Sequence, residues 1–168
     1  MKKLTQFLAI ILFIVLSTTL QAQTIQLANG WKLNPAGTSF ALGDLPLNIE
    51  VSSSGKYMAV TNNGQGYQSI ELIDTKSEKI IDSVSIAKSW YGLKFSADEK
   101  KLYASGANDN IILVYPIIKK MLGKADTIVL GKAWPIEKIG PTGIEVDDAG
   151  KRLYAVTKEN NSLYIFRN

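Results

Sequence analysis

The 168-residue chain contains no cysteine and no histidine. Without cysteine there is no disulfide framework, no thiolate metal site and no lipid attached through sulfur. Without histidine, Ser-His-Asp and Cys-His catalysis, His-ligated zinc and imidazole-based pH switching are all excluded. An excess of charge of one sign is missing too. The full chain carries 19 basic and 15 acidic residues, and setting aside Lys2 and Lys3 leaves 17 against 15. So even a balance, with no basic block, gives no electrostatic footing for nucleic acid.

Long apolar runs are scarce as well. The one present, Leu8 to Leu16, is shorter than the roughly 20 residues a membrane-spanning helix needs. It follows the basic Met1-Lys2-Lys3 and precedes Ser17 to Ala22, the layout of a secretory signal peptide. Residues 1–22 are therefore expected to form a signal helix, with 23–168 exported to the periplasm or secreted and free of the membrane after cleavage. A retained membrane anchor is the alternative.

What the chain does have is an internal repeat. Ile49 to Asn63 (IEVSSSGKYMAVTNN), Leu93 to Asp109 (LKFSADEKKLYASGAND) and Ile144 to Asn160 (IEVDDAGKRLYAVTKEN) align. Each reads as an alternating strand, a polar turn and a second strand with a tyrosine near its start (Tyr57, Tyr103, Tyr154). Period-two alternation puts one set of side chains on each face of a sheet. A third strand recurs as Ser69 to Asp74, Asn110 to Tyr115 and Ser162 to Arg167, after loops rich in Asn, Asp and Gly that suit tight turns. A fourth recurs as Ile81 to Ile86 and Ala125 to Leu130, and at the start of the mature chain as Thr38 to Leu42. Leu42, Ile86 and Leu130 stand 44 residues apart.

Four short strands per unit at this spacing predict an all-β fold, a partial β-propeller of about three four-stranded antiparallel blades in an open arc. We label the strands a to d outward from the axis. The lone d strand at Thr38 to Leu42 is expected to complete the third blade, whose own d strand is missing. Closed rings hold about four to eight blades. Two readings stay open: a fragment of a longer propeller, or a short chain that pairs edge to edge with a second copy. The isolated arc is expected to be poorly soluble or partner-dependent, because its terminal blades leave apolar faces wet.

MAVTNN (58–63), LYASGAND (102–109), LYAVTKEN (153–160) and IELIDT (70–75) resemble the repeats of YVTN-type, YncE-like β-propellers, over nearly all of residues 38–168. NGWKLNPAG (29–37), LGDLPLN (42–48) and SWYGLKFS (89–96) resemble the opening of exported bacterial members in which the propeller precedes a phosphoesterase domain of the alkaline phosphatase superfamily. The resemblance implies an association with metal-dependent phosphoester hydrolysis. No residue of this chain matches the nucleophile or the metal ligands of that domain.

The d-to-a and b-to-c loops of a propeller gather at the channel mouth, where ligands or partners are usually met. The residues placed there are Asn48, Asn63, Trp90, Tyr91, Asn108, Asp109 and Trp134. Trp90 and Trp134 could stack on a sugar, peptide or aromatic ligand, or could instead wedge between blades. The Asn and Asp residues suit calcium in kind, but turn chemistry accounts for them. Trp31 is expected to anchor the lead-in. Glu50 and Glu145 occupy one strand-a position and Lys94 the same position in the second repeat, which points to a local ion pair or a solvated channel lining rather than acid–base catalysis. No catalytic residue, metal ligand or cofactor is assigned. The expected function is an exported module with a ligand- or partner-binding face and no catalytic centre. The alternative is the leading part of a phosphoesterase or a lactonase-like propeller enzyme.

Overall fold

The computed structural model describes residues 25–33, 37–147 and 149–167, so the expected signal helix lies outside it. Residues up to Ala41 form one compact unit and those from Leu42 a second. The first contains a two-stranded hairpin, β1 (Ile25–Gln26) and β2 (Lys32–Leu33). Trp31, beside it, is 70% exposed.

The second unit is three antiparallel sheets in an open arc. The first sheet runs β3 (Pro46–Val51), β4 (Tyr57–Asn62), β5 (Ser69–Asp74) and β6 (Lys79–Ser85), in chain order. The second is β7 (Leu93–Phe95), β8 (Lys101–Ser105), β9 (Ile111–Ile118) and β11 (Asp126–Val129), with β10 (Met121–Leu122) folded back on the end of β9. The third has β12 (Pro141–Val146), β13 (Arg152–Thr157) and β14 (Ser162–Arg167). The expected strands a to d are thus present twice in full, and a to c once more. The expected d strand at Thr38 to Leu42 is not formed. Thr38 to Ala41 are all exposed, so that segment has no buried face to fix its register.

The repeat is physical as well as textual at the a-to-b turn. Ser52, Ser96 and Asp147 each donate their N–H to the carbonyl five residues on, at 2.9, 2.9 and 3.2 Å. Each side chain also accepts the returning N–H, from Tyr57, Lys101 and Arg152, at 3.1, 2.9 and 3.1 Å. The fourth residue of each turn has positive φ: Gly55 (69°), Glu99 (57°) and Gly150 (64°). A glutamate is therefore held where the neighbouring repeats use glycine. Its carboxylate accepts from the Ser53 hydroxyl (2.7 Å), the Ser54 hydroxyl (2.7 Å) and the Ser54 N–H, so it ties the second sheet to the turn of the first.

Two cores lie at the seams between sheets. At the first, Ala59, Ile70 and Leu72 meet Leu93, Phe95, Leu102, Ala104 and Tyr115. At the second, Tyr103 and Ile112 meet Ile144, Leu153 and Ala155. The inner strands approach so closely that a Cβ on Gly92 would lie 2.4 Å from the Thr142 carbonyl oxygen. Carboxylates fasten the first seam from outside: Asp82 accepts from the Leu122 N–H (2.7 Å), and Asp74 pairs with Lys120 (3.1 Å). Beyond the second seam the arc is open. Val156, Leu163 and Ile165 on the far face of the third sheet are 49, 58 and 55% exposed, as the open-arc reading expects. The first sheet conforms only in part. Ile49 and Val51 on its far face are exposed, whereas Val60 and Ile73 are buried.

Two outcomes follow for stability. Leu72 is fully buried, and Leu72→Ala should cost about 2–5 kcal/mol in urea unfolding, since a cavity is added to the lost burial. The hydrogen bond from the Ser77 N–H, then Lys120 and the Ser77 hydroxyl, hold the Asp74 carboxyl down to about 2, and the Ser54 and Ser53 bonds lower that of Glu99. Folded values below the unfolded ones mean stability that is present above the ordinary carboxylate range and lost as pH falls through the folded values. The urea midpoint should therefore be flat from about pH 5 to 8 and drop between about pH 4 and 2. A transition centred between about pH 6 and 7 would contradict this, because the chain has no histidine to produce it.

Candidate functional site: the loop face of the three sheets

Sheet geometry sends the b-to-c turns of all three sheets to the same side as the d-to-a loop that joins the first two. They meet there in a cleft of about 190 Å3. The first sheet contributes Asn63 and Gln68, its connection to the second Lys88, Ser89 and Trp90, the second Ala107 and Asn108, and the third Lys158. The cleft is ordered by side-chain bonds. Ser89 donates its hydroxyl to Asn63 Oδ1 (2.9 Å) and its N–H to Gln68 Oε1 (2.9 Å). With both amide oxygens engaged, the NH2 groups of Asn63 and Gln68 remain as donors. Lys158 Nζ stands 4.8 Å from the centroid of the Trp90 ring, a cation–π contact. Trp90 is 38% exposed and forms part of the cleft wall.

The residues expected at the channel mouth divide into groups. Asn63, Trp90 and Asn108 share the cleft, and Asp109 sits beside it, paired with Lys88. Asn48 and Tyr91 belong to a neighbouring cavity of about 260 Å3 along the inner strands, where Asn48 Nδ2 donates to the Tyr91 carbonyl (2.6 Å). Trp134 is not among the residues that line the cleft, but it adjoins one of them. Its N–H donates to the Asn108 carbonyl (2.8 Å), and its ring, 42% exposed, lies 4.7 Å from Lys138 Nζ.

Asn110 holds the loop before β12. It is buried, in the left-handed conformation at φ 57°, and its amide donates to the Lys132 (2.6 Å) and Glu137 (2.8 Å) carbonyls while accepting from the Gly140 N–H (2.9 Å). The sequence places Asn110 at the start of a third strand; its side chain closes a loop 22 to 30 residues away. Lys158 was missed altogether. Its signal is the repeat itself, since Lys158 stands where the first sheet has Asn63: Pro141 pairs with Thr157 as Pro46 pairs with Asn62.

The inner-strand charges form the ion row expected of them. Lys94 Nζ lies 3.1 Å from Glu50 and 3.0 Å from Glu145. Burial works against the Lys94 charge, yet hydrogen bonds to Glu145 and Glu50 raise its affinity for the proton. For Glu145, burial is outweighed by the Val146 N–H and Lys94, which lower its pKa. These opposite charges offset one another across both seams.

This arrangement places the chain among proteins with a β-propeller-like fold, as an open part of one. Among solved structures it is similar to Kuenenia stuttgartiensis hydrazine synthase (TM-score 0.62, 21% identity, 79% of this chain and 35% of that one). It is similar too to the Myceliophteria thermophila Cps50 (Swd1) β-propeller domain (TM-score 0.56, 19% identity, 73% and 38%). A chain of a mitotic checkpoint complex gives TM-score 0.58 at 13% identity, over 72% and 35%. This chain thus spans little more than a third of each, and at such identities the likeness is one of fold. No protein-family model and no curated protein matches the sequence.

Asn110→Ala should destabilise the chain by about 1–3 kcal/mol, because it strands the buried Gly140 N–H and removes two part-buried bonds to the Lys132 and Glu137 carbonyls. Asn110→Gly keeps the backbone conformation and should lose nearly as much if the bonds dominate. Urea unfolding followed by tryptophan emission checks both.

Proposed function

We propose that this chain is an exported, non-catalytic β-propeller module of the YVTN-type, YncE-like kind, which binds a ligand or protein partner at its loop face. One observation carries the reading. A half-exposed tryptophan, Trp90, stands in a cleft to which loops of all three sheets contribute. Large rigid aromatics in such positions supply much of the energy of recognition. The donor-rich rim of Asn63, Gln68 and Lys158 suits a ligand with acceptor groups around a flat or ring-shaped body. Export rests on the signal-peptide layout of residues 1–22.

A second reading, the leading part of an exported phosphoesterase, is favoured by the resemblance of residues 29–48 and 89–96. Metal-dependent hydrolysis needs a ligand cluster. Among the described residues no group of three or more His, Cys, Asp or Glu is arranged to hold a metal ion. The acidic pair that does gather, Glu50 and Glu145, is already bridged by Lys94. The residues present therefore do not fit that metal centre, and no hydrolytic step is derived.

The purified chain, probed on arrays of glycans and peptides, should give signals that fall about 30-fold or more with Trp90→Ala. Trp31→Ala, outside the cleft, should leave them unchanged. Equal loss from both variants, or from neither, would contradict the proposal. With phosphomonoesters the chain should show no turnover above buffer; turnover would favour the second reading.

A further inference from the structure

Each sheet of the arc presents a charged side chain forward, toward the next sheet, from the same position of its inner strand. Glu50 on β3 meets Lys94 on β7, and Lys94 meets Glu145 on β12, so the sign alternates at both seams. Apolar positions step along in the same way. Tyr103 opposite Val114, and Ile112 opposite Ser105, form the forward face of the second sheet and are covered by the third. Tyr154 opposite Ile165, and Leu163 opposite Val156, hold the equivalent places on the third sheet. There Leu163 and Ile165 are more than half exposed, as is the side chain of Glu145, at 62%.

We infer that this forward face docks a further four-stranded antiparallel sheet, one whose inner strand carries a lysine or arginine opposite Glu145. The two existing seams are the template: an apolar face closed over an apolar face, with opposite charges meeting at the inner strand. A second copy of this chain offers part of the apolar half of that match, Ile49 and Val51 on its first sheet, but not the charge. Its first sheet would bring Glu50 against Glu145, two carboxylates at one seam, and like charges facing each other select against a partner. The charge row thus acts as a selector on an otherwise unselective apolar face. This inference extends beyond the loop-face reading and does not depend on it.

Neutralising the charge tests it, because Glu145→Gln removes the repulsion from Glu50 of a second copy without setting a cation against Lys94 in the chain's own second seam. By analytical ultracentrifugation at about 0.1 M salt, the variant should self-associate about tenfold more tightly than the unaltered chain. The gain should shrink at about 1 M salt, where surface charges are screened. Adding Ile165→Asp should abolish it, with circular dichroism confirming that both variants keep their β structure. Self-association of Glu145→Gln no tighter than that of the unaltered chain would overturn the charge selection. Undiminished association with Ile165→Asp in place would overturn the docking face.

Discussion

A four-stranded sheet with apolar side chains on both faces cannot be stable by itself, and that constraint organises this chain. Fully burying a leucine or isoleucine contributes about 1.5–3 kcal/mol, and the central strands here place such residues toward each neighbour. Ile70 and Leu72 on β5, and Leu102 and Ile112 on β8 and β9, are dry only because another sheet lies against them. The second sheet, covered on both faces, is the keystone. Hydrogen bonds and ion pairs along the seams then select alignment more than they supply stability, since most of these charges are partly solvated. Glu99 illustrates the compromise. It occupies a backbone conformation better suited to glycine and reaches across to two serines of the next turn.

Much of this was legible in the sequence because the signal is periodic. The third strands, Ser69–Asp74 and Ser162–Arg167, stand where alternation placed them, and Tyr57, Tyr103 and Tyr154 mark the second strands as expected. The ion row was readable too, since aligning the repeats brings Glu50, Lys94 and Glu145 to one register. The expectation at Thr38 to Leu42 failed for a physical reason. Alternation gives a segment the capacity to be a strand, but only a partner edge and a buried face make it one. The folding back of β10 on β9 was not foreseen either. Lys119 and Lys120 turn the chain with positive φ, where sequence preference would favour glycine or asparagine.

The site was legible in outline and not in detail. Placing the loops on one face follows from topology, and three of the seven expected residues share the cleft. Which ones do so depends on loop conformation. Asn110 holds the loop before β12, and Lys158 of the third sheet is the contact over the Trp90 ring. Side chains that act across thirty or more residues leave little trace in local pattern. The repeat alignment is the exception, because a residue that breaks the pattern at one equivalent position, as Lys158 does, stands out in the aligned sequence.

If face-to-face burial is what holds the arc together, protection should follow the number of covered faces. Hydrogen exchange read by mass spectrometry on the native chain measures this strand by strand. Amides of β8 and β9, between the two seams, should exchange last, and those of β13 and β14, with one face wet, well before them. Equal protection of the second and third sheets, or greatest protection in the third, would contradict the account.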